Sequence, residues 1–443
     1  MDQQAESDHV LFNDIFPVPF KVLFLIQLGL ILWYSLVWSC TRLNINILQL
    51  LNLSYSPHNY SLLDHLTQTT GEFHASIPPD SKENYILLEG IFSNVKPIVI
   101  VNTASWMVFK WLQRILGDIK NGESARFSFF LTPIFYLLPM IAFLHLFYRL
   151  FYERKSNTQG QFRMYTTIKR IFLGKINSVT MRTNDILISD SLMSYSKVLN
   201  DFALFIWNYY YSAEISYNTL LEFSVLCIPM AIRMKQCWQE YSTTHNKQHL
   251  LNFIKYASGL GPLVMNLLIK RTITSYNLEA IDDVKKEEIV RVLSNLNRWW
   301  YVFSFINSAY SLVWDIKMDW GLQMFDGLFK KHSKTTFLRL QHQLYYNKLW
   351  YYFVIWCDVN LRFIWVLRLF IIQEEFNESK RSYLHIFSTF LFGYDAFSFG
   401  YAVIEVLEIF RRWLWCFLKL ESDWVKLQDS RDRDIELTTT KRG

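Results

Sequence analysis

The chain is short of charged residues, since Asp, Glu, Lys and Arg make up 19% of its 443 residues. Soluble proteins of ordinary composition are nearer a quarter charged, so this composition is unusual for a soluble fold. Cysteine is also scarce. The five cysteines form no CxxC pair and no His/Cys cluster, which argues against a disulfide framework or a zinc site. We interpret them as small, buried apolar residues.

Motifs of the common catalytic sites are also absent. The sequence has no HExxH, no GxSxG and no P-loop. Gly259 and Gly261 form a glycine-rich patch that we interpret as close helix packing. The first 20 residues are acidic, unlike a cleaved signal peptide, and the net charge of +6 does not indicate a nucleic-acid partner. The sequence therefore predicts a protein that is not an enzyme, with no cofactor and no metal site.

Long apolar runs are abundant, because hydrophobic residues make up 51% of the chain and aromatic residues 17%. A helix needs roughly 20 apolar residues to cross a bilayer. Residues 22–41 and 127–148 meet this requirement without Asp, Glu, Lys or Arg, and 96–116 is a weaker candidate. Further spans are predicted near 188–211, 217–234, 250–271, 297–315, 347–371 and 384–415. The pattern predicts an all-α polytopic membrane protein in a lipid bilayer, with about nine (roughly eight to ten) transmembrane helices.

Lysine and arginine in the loops predict the orientation of the spans. The 152–185 and 316–346 loops are basic, and we place both in the cytosol. With nine spans the N-terminus is then luminal, as is the 372–383 loop with its glycosylation acceptor pattern at Asn377. The polar segment at the C-terminus is predicted to be cytosolic, and disordered from Asp429 onward.

Charged residues interrupt the apolar spans of the C-terminal half. A charge at bilayer depth costs roughly 2.5–3.5 kcal/mol on insertion scales, so such residues persist when they pair or line a wet pathway. Asp358 and Arg362 lie four residues apart, and Glu408 precedes Arg411 and Arg412 by three and four residues. Because residues at these spacings share a helix face, the sequence predicts ion pairs within the membrane.

The cations of these spans outnumber the acids nearest to them in sequence. They are Arg233, Lys255, Arg362, Arg411 and Arg412. A cationic site in a membrane core is suited to an anion. Guanidinium groups match tetrahedral oxyanions in a bidentate manner and lysine adds a point charge, so phosphate or sulfate fits better than a halide.

A structural alternative exists for most of these charges. The arginines other than Arg362 lie near predicted span ends, where arginine commonly extends to the membrane surface. For Lys255 the structural alternative is a position at the start of a helix. For Asp315 it is a cap at the end of a span. Arg362 lies mid-span with Asp358 one turn away, which favours a role in a network or a binding site.

Several segments of the C-terminal half resemble the EXS family. This family includes the xenotropic and polytropic retrovirus receptor, plant phosphate exporters and the yeast ER-retention-defective proteins. Residues 314–321 (WDIKMDWG) resemble the signature WDxKMDWG. Other similar segments follow the family's order: ISDSL at 188–192, RMKQCWQEYSTT at 233–244, HLLNFIKY at 249–256, DVNLRFIW at 358–365 and EIFRRWLWCFLKLE at 408–421.

The resemblance implies export of inorganic phosphate through a pathway built from the last six helices. The family's phosphate-contacting positions fall on Arg233, Lys255, Tyr256, Arg362, Arg411 and Arg412. Its acidic partners fall on Asp190, Asp315 and Glu408, to which the spacing adds Asp358, and a gating tryptophan falls on Trp365.

The expected organisation is an N-terminal tail (1–20), a transmembrane scaffold (21–184), a six-helix EXS domain (185–424) and a cytosolic tail (425–443). Because the first span begins near Val22, the SPX sensor domain of the larger exporters is expected to be missing. This organisation resembles the fungal ER-retention-defective subgroup.

That subgroup implies a Golgi membrane, with the endoplasmic reticulum membrane as the alternative. Luminal phosphate released during Golgi glycosylation would return to the cytosol, and luminal ER proteins would be retained. Expected partners are inorganic phosphate, the bilayer, a second copy in a homodimer, and Golgi sorting machinery or glycosyltransferases. The competing hypothesis is a non-transporting membrane adaptor that sorts or recycles Golgi glycosyltransferases.

Overall fold

The computed structural model describes residues 12–51, 81–120, 125–152, 158–176, 182–211, 218–275, 283–324, 338, 344–369, 383–392 and 398–440. In these ranges the chain is helical and has no β-strand, which confirms the predicted all-α class. The chain divides into two compact units. The first is Met1–Lys169 with Ala396–Ala402, and the second is Arg170–Asp395 with Val403–Gly443.

The first unit contains two long helices that pack on a third. Its elements are α1 (Val18–Arg42), α2 (Ile47–Leu50), α3 (Ser81–Lys120) and α4 (Ala125–Phe147). Helix α4 continues as a π-helical turn (Tyr148–Tyr152). Helix α5 (Thr158–Phe172) contains the point in the sequence, after Lys169, at which the second unit begins. Helix α1 and helix α4 both pack on α3. The buried amide N–H of Asn102 in α3 donates to Gln27 Oε1 of α1 at 3.2 Å, which gives this donor a partner inside an apolar interface.

Two helices of the described ranges are long and apolar enough to cross a bilayer, Val18–Arg42 and Leu131–Tyr152. They overlap the two clearest predicted spans, 22–41 and 127–148. The count of about nine spans therefore stays a prediction, because the helices of the second unit carry charges that lower their hydropathy.

The second unit is a set of shorter helices around a charged interior. Its elements are α6 (Arg182–Ser194), α7 (Ser196–Tyr210), α8 (Thr219–Thr244), α9 (Lys247–Ser258), α10 (Leu260–Ser275), α11 (Asp283–Trp314), α12 (Lys348–Arg362), α13 (Tyr383–Phe392) and α14 (Phe399–Thr440). A π-helical turn (Asp315–Asp319) continues α11, and a 3₁₀ turn (Ile364–Arg368) follows α12. Helix α8 packs on α7, α9 and α10, and α10 packs on α11.

Asparagine residues define where three of these helices begin. Asn218, Asn246 and Asn347 have extended backbones, and the side-chain oxygen of each accepts from the backbone N–H two residues later. These N-caps satisfy donors that a helix start leaves unpaired. Between α8 and α9, His245 has a φ of 52°, a left-handed conformation that ends α8 and lets α9 begin at once.

Three predicted spans of the second unit are interrupted rather than continuous. The interruptions lie at Tyr195 in the span near 188–211, at Gly259 in that near 250–271 and at Phe363 in that near 347–371. Hydropathy cannot register them, because ending one helix and beginning the next does not change the apolar character of the segment.

Close packing explains the glycine-rich patch. A Cβ atom on Gly261 would lie 2.8 Å from Cγ of Phe303, so only glycine lets α10 approach α11 this closely. The interpretation of this glycine as a packing residue is confirmed.

The predicted disorder from Asp429 onward is wrong as far as Thr440, because α14 continues to that residue. Extending an existing helix adds one hydrogen bond per residue, whereas starting one is costly, so polar residues can continue a helix that buried residues such as Trp424 anchor.

The basic 152–185 segment, predicted to be a loop, contains α5. Asn377 lies outside the described residues.

Candidate functional site

The predicted site residues lie at helix ends and interruptions. Lys255 and Tyr256 occupy the last turn of α9, Arg362 ends α12, and Asp315 begins the π-helical turn after α11. The last carbonyl groups of a helix lack intrahelical donors and carry a partial negative charge, which stabilises a cation in the last turn. The interruptions therefore provide suitable places for buried lysine and arginine.

Arg233 of α8 is the centre of one part of the site. Its Nε lies 2.7 Å from Asp190 Oδ1 of α6, and its Nη2 donates to Tyr256 Oη at 3.0 Å. The Tyr256 hydroxyl donates in turn to Asp190 Oδ1 at 2.7 Å. Arg233 also donates to Ser189 and Gln236. With these partners, its guanidinium group is held in one orientation.

Arg412 of α14 joins this part to the next. Its Nη1 lies 3.9 Å from Asp190 Oδ2, and its Nε donates to Ser194 Oγ at 3.2 Å. Ser194 ends α6 and donates to Glu408 Oε1 at 2.9 Å. The predicted proximity of Glu408 and Arg412 thus involves the serine hydroxyl as a bridge.

Arg362 and Arg411 share the carboxylate of Asp358. Arg362 Nε lies 2.8 Å from Asp358 Oδ2, and Arg411 Nη1 lies 3.1 Å from Asp358 Oδ1. Arg411 also binds Glu408 through two donors, at 2.5 Å and 3.1 Å. Of the three ion pairs predicted from sequence spacing, Asp358 with Arg362 and Glu408 with Arg411 are present, whereas Glu408 and Arg412 are joined through Ser194.

Asp315 connects this pair of arginines to α9. One of its carboxylate oxygens pairs with Arg362 Nη2, and the other lies 3.4 Å from Lys255 Nζ. The side chain of Asp315 is fully buried. Contacts therefore run without interruption through the charged cluster, which we define as Asp190, Arg233, Lys255, Tyr256, Asp315, Asp358, Arg362, Glu408, Arg411 and Arg412.

Burial decides several alternatives that the sequence leaves open. Arg233 is 2% exposed and Arg411 5%, so neither extends to a membrane surface. Lys255 lies at the end of α9 rather than at its start. The cluster contains five cations and four carboxylates, so its net charge is close to neutral. Each charge is paired, which is what allows it to be buried.

Trp365 lies in the 3₁₀ turn directly after Arg362. Its indole N–H donates to Ser308 Oγ at 2.9 Å, and the Ser308 hydroxyl donates to the Arg362 carbonyl at 3.0 Å. The indole ring meets those of Trp300 and Tyr301, each at a centroid distance of 6.0 Å. The predicted gate residue is therefore tied to the end of the helix that carries Arg362.

Two charged residues beside the cluster were not predicted as site residues. Lys255 Nζ lies 3.7 Å from Asp319 Oδ2, and Lys419 Nζ lies 3.7 Å from Asp319 Oδ1. Lys419 also donates to Asp423 at 3.1 Å. Both residues stand within family-like segments, and Lys419 follows Arg412 by seven residues on α14, so helical periodicity was the signal that would have identified it. In the described ranges, no group of three or more His, Cys, Asp or Glu residues is placed to hold a metal ion.

Comparison with known families identifies the chain. The sequence profile of the EXS family matches residues 16–425, which is most of the chain. The chain belongs to the EXS family. The resemblance of the C-terminal segments is thus confirmed, and the EXS match also includes the region 21–184, which was predicted to be a separate scaffold.

Relatives of two lengths are found within this family. Protein ERD1 of Saccharomyces cerevisiae is 26% identical over 429 residues, which cover 95% of this chain and 97% of that protein. A xenotropic and polytropic retrovirus receptor 1 homolog of Xenopus laevis is 28% identical over 68% of this chain and 40% of its own length. Solute carrier family 53 member 1 of Cricetulus griseus is 29% identical over 60% of this chain and 36% of its own length.

Proposed function

We propose that this EXS protein is an inorganic phosphate channel or transporter of the early secretory pathway. The observation that carries the proposal is the charged cluster, in which arginines from three helices share buried carboxylates. A carboxylate and a phosphate present similar oxygen pairs to a guanidinium fork. A phosphate ion can therefore take the place of a carboxylate partner without leaving either arginine uncompensated.

The near balance of charge suits conduction rather than tight binding. A pathway must bind its ion well enough to admit it and weakly enough to release it. Five isolated cations would trap phosphate, whereas five cations with four carboxylates leave an excess of one positive charge. Asp315, Asp358 and Glu408 thus act as orienting and competing partners in this proposal.

Trp365 is proposed as the gate of the pathway. Trp365 follows Arg362 by three residues in the sequence. Its indole N–H donates to Ser308, and its ring contacts neighbouring aromatic rings. Movement of the 3₁₀ turn would shift this ring and the Arg362 backbone together, because Ser308 contacts both.

The cellular setting is proposed from the relatives. The match to Protein ERD1 covers nearly the whole of both chains, which supports a similar cellular role for the two proteins. The solute carrier name of the longer relative supports transport. We place the chain in the Golgi membrane, where it would return luminal phosphate from glycosylation reactions to the cytosol and support retention of luminal ER proteins.

Phosphate flux in proteoliposomes tests the activity. Vesicles with the parent protein should release radiolabelled phosphate faster than empty vesicles. Arg362→Ala should reduce the rate by at least about tenfold, since loss of one charge-assisted contact corresponds to about 1.5–3 kcal/mol. Arg362→Lys keeps the charge but loses the fork that joins Asp315 and Asp358, so it should restore little.

Arg291→Ala is the matched control, because Arg291 is an exposed arginine of α11 outside the charged cluster. Its flux should equal that of the parent. A parent protein that releases phosphate no faster than empty vesicles would refute the proposed transport. Parent-like flux of Arg362→Ala would refute the assignment of Arg362 alone.

A further inference from the structure

Lys419 is a buried cation that lies beside the charged cluster and is not among the pathway residues predicted from the sequence. It is 6% exposed, although it belongs to the polar C-terminal part of α14. Its Nζ donates to Asp423 Oδ1 at 3.1 Å, one turn along the same helix. An ammonium group has three donors, and this bond uses one of them.

Asp319 places Lys419 and Lys255 on either side of one carboxylate. Each Nζ lies 3.7 Å from a different carboxylate oxygen of Asp319, and Lys255 Nζ lies 3.4 Å from Asp315. These separations exceed an ordinary N–H···O hydrogen bond of about 2.7–3.2 Å. Asp319 Oδ2 is buried and has no hydrogen-bond partner among the described residues. The two ammonium groups thus lie beside the same carboxylate and are loosely paired with it.

The position of this group along the pathway follows from helix geometry. Seven residues separate Arg412 from Lys419, which corresponds to nearly two turns, or about 10 Å, on the same face of α14. Asp319 ends the π-helical turn after α11 and lies inside the basic 316–346 segment, which is predicted to be cytosolic. Lys419 therefore extends the line of cations from the charged cluster toward the predicted cytosolic side.

We propose that Lys419, together with Lys255, forms a second anion-binding position at the cytosolic end of the pathway, with Asp319 and Asp423 as its orienting carboxylates. The inference rests on the proposed phosphate transport. A phosphate ion leaving Arg362 would contact Lys255 next and then Lys419, each of which is a point charge with a donor to spare. Loose pairing by lysine favours release, whereas the forked arginines of the charged cluster favour capture.

Sided kinetics test this position. Full-length protein is reconstituted in vesicles of known orientation, and phosphate exchange is measured while inorganic phosphate is varied on one face at a time. For Lys419→Gln, the half-saturating phosphate concentration on the cytosolic face should rise by about tenfold, as expected for loss of one charge-assisted contact. The value on the luminal face should stay at that of the parent.

Three further variants separate binding from folding. Lys419→Arg should restore cytosolic affinity. The double variant Lys419→Gln/Asp423→Asn should keep the defect, although it also removes the Asp423 charge that Lys419→Gln alone leaves uncompensated. Lys426→Gln is the matched control, because Lys426 lies 3.9 Å from the same Asp423 but its side chain is 58% exposed. It should behave as the parent.

Parent-like cytosolic affinity of Lys419→Gln would overturn the inference and leave the proposed transport intact. An equal loss of affinity on both faces that Lys419→Arg does not restore would also overturn it, since that result indicates a structural role. If the parent protein shows no phosphate exchange, the proposed function itself is refuted.

Discussion

At the scale of single residues, the main physical problem is how charges persist inside an apolar helical unit. Asp315 shows the solution, because its two oxygens face different cations, Arg362 and Lys255. Removing one member of a buried ion pair lowers stability far more than replacing both members with apolar residues. The remaining charge is still desolvated but has lost its partner. The charged cluster is therefore both the proposed ligand site and a determinant of stability.

Asp315→Asn should lower the free energy of unfolding by about 3–5 kcal/mol, because Arg362 and Lys255 each lose one of their two carboxylate partners in a buried site. Thermal melting of the purified protein in detergent measures this change. Inorganic phosphate should raise the melting temperature of the variant more than that of the parent, since the anion replaces the missing charge. A variant that phosphate does not stabilise would contradict anion binding next to Asp315.

Glu222→Gln provides the control at this scale. Glu222 pairs with Lys270 at 2.7 Å, but the lysine side chain is 51% exposed. Exposed ion pairs contribute about 0–1 kcal/mol, so this variant should melt close to the parent and show no added response to phosphate.

At the scale of helices, interruptions position the charged cluster. The sequence predicted continuous spans, yet Lys255 and Arg362 lie in last turns that exist only because α9 and α12 end within those spans. Irregular backbone at membrane depth is tolerated where protein covers it or a wet cavity adjoins it. Close contact between helices is the second requirement, and Gly261 of α10 provides it.

Gly261→Ala should destabilise the protein by about 1–3 kcal/mol, because the added methyl group overlaps the Phe303 ring. Thermal melting again measures the change, and Phe303→Leu in the same chain should recover part of it. Gly117→Ala is the control, since apart from the glycine, its chain neighbours and its own helix backbone no atom lies within 4 Å of its added Cβ. It should be neutral or stabilising by up to about 1 kcal/mol, because alanine is the better helix former. Equal effects of both glycine variants would show that Phe303 does not limit this contact.

At the scale of the whole molecule, the EXS match extends across both compact units, from residue 16 to residue 425. The charged cluster lies within the second unit, and α14 continues beyond the matched segment to Thr440. Transport and sorting hypotheses therefore differ in which part of the chain they require. Transport requires the cluster, whereas the adaptor hypothesis requires the C-terminal segment or the cytosolic loops.

Ending the chain after Asp429 should leave phosphate flux within about twofold of the full-length rate, because Asp429 is exposed and exposed positions rarely affect the folded core. The same truncation, expressed in cells that lack the protein, should still support Golgi glycosylation and ER protein retention. Loss of these cellular functions with normal flux, together with normal function of Arg362→Ala, would favour the adaptor hypothesis.

The sequence by itself determined the helical class, two clear spans, the ion pairs formed between residues three and four apart, and the EXS family. These features are local, because apolar length, helical spacing and short motifs are written in consecutive residues. Only the tertiary structure decided which helices are interrupted, that Ser194 bridges Arg412 to Glu408, and that Lys419 lies next to Asp319. Those contacts join residues far apart in the chain, and they depend on side-chain directions that hydropathy and spacing do not contain.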